Sequence, residues 1–134
     1  MLDTLAKIYN EGGPLVGVAY VLFDGNAHFI TKIGLRFGSI SAVFRAVQAD
    51  DTLAVSLGPL VPDRDETSVD VGHSDPWSSC LGSAIRWAWQ LTNQQGYQDG
   101  VRLEFGDPHM GSNCVIELIV AASAIQIFVA APKY

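Results

Sequence analysis

Two stretches of the chain alternate apolar and polar side chains around a short polar turn. Ile85, Trp87, Trp89 and Leu91 alternate with Arg86, Ala88, Gln90 and Thr92, and Val101, Leu103 and Phe105 alternate with Arg102 and Glu104. A period of two puts every second side chain on one face of a strand. The pattern therefore predicts a hairpin that buries Trp87, Trp89, Leu103 and Phe105 together. A helix through Leu81, Ile85 and Trp89 is the rival reading, but the alternation and the β preference of tryptophan favour a strand after Gly82.

The same kind of hairpin is foreshadowed earlier. "IGLRFG" from Ile33 matches "VRLEFG" from Val101 at a slide of 68 residues. "AVFRAVQADDTLAVSL" from Ala42 lies over "CVIELIVAASAIQIFV" from Cys114 at a slide of 72, and "VAYVLF" from Val18 over "IRWAWQ" at a slide of 67. Small insertions in turns explain the drift between slides. In the first half Phe29, Thr31, Ile33, Leu35 and Phe37 share one face, with Leu35 and Phe37 expected in the core. His28, Lys32 and Arg36 take the other face. Leu15 to Phe23 is apolar on both faces, as a covered interior strand would be. Asp24-Gly25 is strong hairpin chemistry, because both residues accept positive φ. "ADDT" (Ala49 to Thr52) suits a second turn, whereas its counterpart "AASA" (Ala121 to Ala124) has poor turn chemistry.

A short helix is expected before each set of strands. Asp3 reads as the cap of the first, stopped by Gly12-Gly13-Pro14. Asp75 with Pro76 reads as the start of the second, stopped by Gly82. The fold class is thus α+β and mostly antiparallel β, a duplicated unit of short helix plus four-stranded meander. A single domain over 1–134 holds the two units, 3–57 and 75–131, joined by an acidic connector over 58–75.

The length of 134 residues fits one domain, and 49% hydrophobic against 16% charged residues marks a core-rich globular chain. Asp3 stands where a signal peptide wants basic residues. Cys114 to Ala131 is the one apolar stretch long enough to suggest a membrane, but Glu117, Gln126 and its strand-like composition argue against a span. Cys80 and Cys114 show no metal spacing and demand no disulfide. A soluble, reduced, cytoplasmic protein is the expectation. The net charge of −6 is carried by one segment, where Asp50, Asp51, Asp63, Asp65, Glu66, Asp70 and Asp75 face Arg64 alone. No basic patch is left for nucleic acid.

Within the opening hairpin, Asn93 to Gly96 supply turn chemistry, and Tyr97 begins the return strand facing inward. Asp99 is left over. An inward carboxylate needs hydrogen bonds, so Asp99 is expected to brace the loop by accepting backbone N–H groups. The functional alternative has Trp87, Trp89, Tyr97 and Asp99 lining a pocket mouth. His73, Asp75 and His109 follow no metal-ligand pattern, and Ser78, Ser79, Cys80 and Cys114 assemble no nucleophilic triad. No metal, cofactor or catalytic residue is expected. Asp63, Asp65, Glu66 and Asp70 lie in a segment without apolar periodicity, so they read as exposed. They form either a solvated connector or a surface for a basic partner.

The stretch "WAWQLTNQQGYQDGVRLEF", with the apolar hairpin after it, resembles a small family of uncharacterised bacterial single-domain proteins. That resemblance implies no activity and carries over no catalytic residue. In size, acidity and lack of motifs the chain is also similar to immunity proteins that neutralise toxins. Three functional readings stay open. The leading one is a non-enzymatic binding protein whose acidic segment covers a cationic toxin cleft. The second is an enzyme or small-ligand binder with a pocket near Trp87, Tyr97 and Asp99. The third is a structural or regulatory subunit that forms a homodimer.

Overall fold

The computed structural model describes residues 1–107 and 111–130. One α-helix opens the chain, α1 (Leu2–Glu11). Nine strands follow among the described residues: β1 (Leu15–Phe23), β2 (Ile30–Phe37), β3 (Ser41–Val47), β4 (Thr52–Leu57), β5 (Glu66–Asp70), β6 (Ala84–Thr92), β7 (Gln98–Asp107), β8 (Gly111–Ala121) and β9 (Ala124–Ala130). They form two antiparallel sheets, a five-stranded one in the order β4-β3-β2-β1-β5 and a four-stranded one in the order β6-β7-β8-β9.

The helix begins one residue before the expected cap. Asp3 lies in its first turn, where a carboxylate suits the positive end of the helix dipole. Leu5 and Ile8 share the buried side. The helix ends as expected, with Gly12 N–H donating to the Ile8 carbonyl at 2.8 Å and Gly13 at a φ of +72°.

The second expected helix does not form. Residues 75–82 give only a single 3-10 turn, Trp77–Ser79, in which Asp75 accepts from the Ser78 hydroxyl at 3.1 Å. Among the described residues an α-helix thus precedes only the first set of strands, and the second set, β6–β9, follows a 3-10 turn instead. The proposed connector also differs from expectation, since its residues Glu66–Asp70 pair with β1 as a fifth strand. That addition makes β1 an interior strand, in keeping with its two apolar faces. Residues 114–130 of the candidate membrane stretch lie in the β8–β9 hairpin. Among the described residues, no helix is long and apolar enough to cross a membrane.

The two sheets share one core, with β4 lying against β7 and β2 against β9. Ile33, Leu35, Phe37 and Phe44 from the first sheet meet Leu103, Phe105, Ile116 and Leu118 from the second, and Leu5 and Ile8 of α1 join them. Trp77 is fully buried and edge-on to Phe105, their ring centroids 6.4 Å apart. Its indole N–H donates to the Tyr20 hydroxyl, so the polar edge of the largest core side chain is satisfied. Burial pushes the Tyr20 phenol above its ordinary pKa, against the opposing pull of that hydrogen bond. Cys80 and Cys114, which the spacing left unpaired, meet beside this ring as a disulfide with Cα atoms 5.8 Å apart.

Trp87 and Trp89 are not in the core. Ile85 pairs with Phe105, but the next pair is Trp87 with Glu104, so Arg86 is an extra residue in β6. A bulge of one residue moves every following side chain to the opposite face. Ala88 therefore packs inward opposite Leu103, and Trp87 and Trp89 turn outward, 51% and 43% exposed. Leu35, Phe37, Leu103 and Phe105 are buried as expected.

Candidate functional site

The outward tryptophans lie at the centre of an exposed aromatic face. Their rings are 6.4 Å apart on β6, and the Arg102 guanidinium sits 5.6 Å from the Trp89 ring, within reach of a cation–π contact. Arg102 also bridges to Glu104 at 3.5 Å and to Glu117 at 3.2 Å. The ion network thus holds the guanidinium in place beneath the aromatic surface. Phe128 of β9, opposite Glu117, is half exposed at the far side of the same face. Along the other margin runs α1. A hollow of about 310 Å³ between them is lined by Leu2, Leu5, Ala6, Tyr9, Trp87 and Ala88. Leu2 and Tyr9 are themselves exposed.

Tyr97 and Asp99 do not join Trp87 in that hollow. Tyr97 lies in the turn after β6 and Asp99 at the start of β7, and Tyr97 is exposed where it was expected to face inward. Asn93 does the bracing assigned to Asp99. Its Oδ1 accepts the backbone N–H groups of Gln95 at 2.9 Å and Tyr97 at 3.2 Å. Asp99 only accepts from the Asn93 amide at 3.4 Å. Asn at the first turn position reaches the loop amides directly, and Asp99 sits at a second irregularity between the Leu91–Gly100 and Thr92–Gln98 pairs.

The acidic segment divides into two groups. Residues 58–65 cross the outer face of the first sheet from β4 to β5 and are tied down along the way. Gly58 N–H donates to the Ser41 carbonyl at 2.9 Å, and Leu60 sits on Gly34, where an added Cβ would come within 2.9 Å of the leucine Cβ. Lys32 is covered by this strap. Its ammonium meets the Val61 carbonyl at 2.9 Å and the Asp63 and Glu66 carboxylates at 3.2 Å each, so its three protons have three acceptors. Glu66 was expected to be exposed, but its side chain is buried, taking further bonds from the Asp63 amide and the Thr31 hydroxyl. Burial pushes the Glu66 carboxyl up, and the Thr31, Asp63 and Lys32 contacts outweigh it, holding the pKa below its ordinary value.

Asp65 and Asp70 remain exposed, as expected. Asp70 caps the Gly72 amide at 2.9 Å. Asp24 donates its backbone N–H to the Asp65 carbonyl at 2.8 Å, bringing a carboxylate outside the charge-dense segment to its end. That neighbour was not readable from local charge density. Asp50 and Asp51 occupy the β3–β4 turn at the same end of the sheet. Among the described residues, no three His, Cys, Asp or Glu side chains are placed to hold a metal; His109 lies outside them.

No curated protein and no solved structure matches this chain. A family model does match, over residues 2–133, and the chain accordingly belongs to DUF6334, a family of unknown function.

Proposed function

We propose that the chain is a non-enzymatic protein-binding domain that docks a basic protein through the outer face of its four-stranded sheet. The observation that carries this reading is the concentration of half-exposed Trp87, Trp89 and Phe128 around a fixed Arg102, with Tyr9 and Leu2 at the margin. Exposed apolar patches of this kind mark interaction sites, and Trp, Tyr and Arg are the side chains that dominate binding energy. The carboxylates of Asp24 and Asp65, with Asp50 and Asp51, supply a negative field that speeds the approach of a cationic partner. A toxin with a basic cleft is such a partner, and covering it would make the chain an immunity protein.

Capture by immobilised protein tests the reading. Wild type, a Trp87→Ala/Trp89→Ala variant and an Asp24→Asn/Asp65→Asn variant are compared in the same extract. A basic protein held by wild type should be lost from the tryptophan variant and held less tightly by the amide variant, with the difference shrinking in salt. Equal retention by all three folded proteins contradicts the proposal. Self-association that the tryptophan substitutions abolish would point to a homodimer through this face.

A further inference from the structure

On the other side of the molecule, the strap covers a hollow of about 310 Å³ on the outer face of the first sheet, at the small end of the range for ligand pockets. Its floor is almost bare of side chains. Gly17 and Ala19 of β1 and Gly34 of β2 are adjacent outward positions, Gly17 opposite Arg36 and Ala19 opposite both Gly34 and Asp70. The Arg36 side chain uses the missing atom at Gly17 to lie flat on the sheet. A Cβ there would be 2.6 Å from Arg36 Nη2 and 2.9 Å from Cζ.

Asp70 stands on the other side of Gly17. A Cβ added at Gly72 would be 3.5 Å from Asp70 Oδ1 and 3.8 Å from the Gly17 Cα, and Asp70 and Gly17 line the same hollow. The Gly72 amide holds Oδ1 at 2.9 Å. Arg36 and Asp70 nevertheless form no ion pair, and Arg36 has none with any described residue. The Arg36 guanidinium and the Asp70 carboxylate thus line one small hollow without neutralising each other. An anionic ligand would be repelled by Asp70 and a cationic one by Arg36, so the ligand that suits both carries both charges close together. In an α-amino acid the carboxylate and ammonium sit on one carbon. The Ser41 and Ser68 positions add polar lining, and Pro59 and Leu60 of the strap form an apolar wall.

We infer that this hollow binds a free α-amino acid with a small aliphatic side chain, its carboxylate on Arg36, its ammonium on Asp70 and its side chain against Leu60. Charge-assisted hydrogen bonds at both ends would select the zwitterion. This site is separate from the aromatic face and does not depend on it.

Titration calorimetry with glycine, alanine, valine and leucine tests the inference, with N-acetyl-leucine and leucine amide as controls lacking one charge each. At least one of the four amino acids should bind saturably below about 10 mM, and each control should bind about tenfold more weakly or worse. Arg36→Ala should abolish binding, as should Gly17→Ala, whose methyl displaces the guanidinium, while Trp87→Ala should leave it unchanged. Should Gly17→Ala fail to fold, Arg36→Ala decides, since that side chain is exposed. No saturable binding of any of the four, or controls that bind as well as leucine, would overturn the inference.

Discussion

Asp51 Oδ1 accepts the backbone N–H of Ser123 at 2.9 Å, joining the β3–β4 turn of one sheet to the β8–β9 turn of the other. Three non-glycine residues at this junction have positive φ, Asp51 at 54°, Ala122 at 52° and Ser123 at 68°. Aspartate tolerates that conformation better than alanine does. The weak local chemistry of the second turn is thus offset by an acceptor 72 residues away.

Asp51→Ala should lower stability by about 1–2 kcal/mol, through the lost acceptor and an unfavourable φ. Asp51→Asn keeps an acceptor and tolerates the φ, so it should be close to neutral. Ala122→Gly should stabilise by roughly 0.5–1 kcal/mol, as glycine removes the strain. Urea unfolding of the three variants checks the order. A neutral Asp51→Ala would show that the junction contributes little.

Phe105→Ala removes a buried ring between the sheets and should cost about 3–5 kcal/mol. Trp87→Ala, with its ring half in solvent, should cost less than about 1 kcal/mol. Comparable losses in denaturant unfolding would mean that β6 has no bulge and that Trp87 faces the core.

Lys32 and Glu66 pin the strap. Lys32→Ala should cost about 1–3 kcal/mol, because it removes the cation from a Glu66 carboxylate that keeps only the Thr31 hydroxyl and the Asp63 amide. Glu66 has a lowered pKa in the folded state, so its contribution is fully present above the unfolded value of 4.5. It is lost as the pH falls through the folded value. The stability gap between wild type and Glu66→Gln should therefore narrow on acidification through that window. A gap that stays constant would mean that the carboxylate gains nothing from its partners.

Local pattern made the regular strands legible. Alternation at Val101, Leu103 and Phe105 placed them in the core, Asp24-Gly25 placed a hairpin, and two glycines with Pro14 placed the end of α1. What escaped was non-local or irregular. Arg86 looks like any polar strand residue, yet as a bulge it reverses the faces of Trp87 and Trp89. Trp77, the tryptophan that does fill the core, sits outside any periodic segment. The strap read as a solvated connector because its anchors, Lys32 and Gly34, lie far away in sequence. The short edge strand β5 carries five residues with little apolar patterning, so nothing local announces it.

Asn93, with two loop amides on its Oδ1, should matter more than Asp99. Asn93→Ala is expected to cost about 1–2 kcal/mol and Asp99→Ala less than about 1 kcal/mol. The reverse order in thermal unfolding would return the bracing role to Asp99.

If Trp87 and Trp89 form the docking surface, their own fluorescence reports on it most directly. The captured basic partner is titrated into the protein while tryptophan emission is recorded, with Trp87→Phe/Trp89→Phe as the reference that leaves only buried Trp77. Wild-type emission should shift to the blue as the two exposed rings leave water, saturating with the binding curve, and the reference should not shift. Full binding with no change in wild-type emission would contradict the claim.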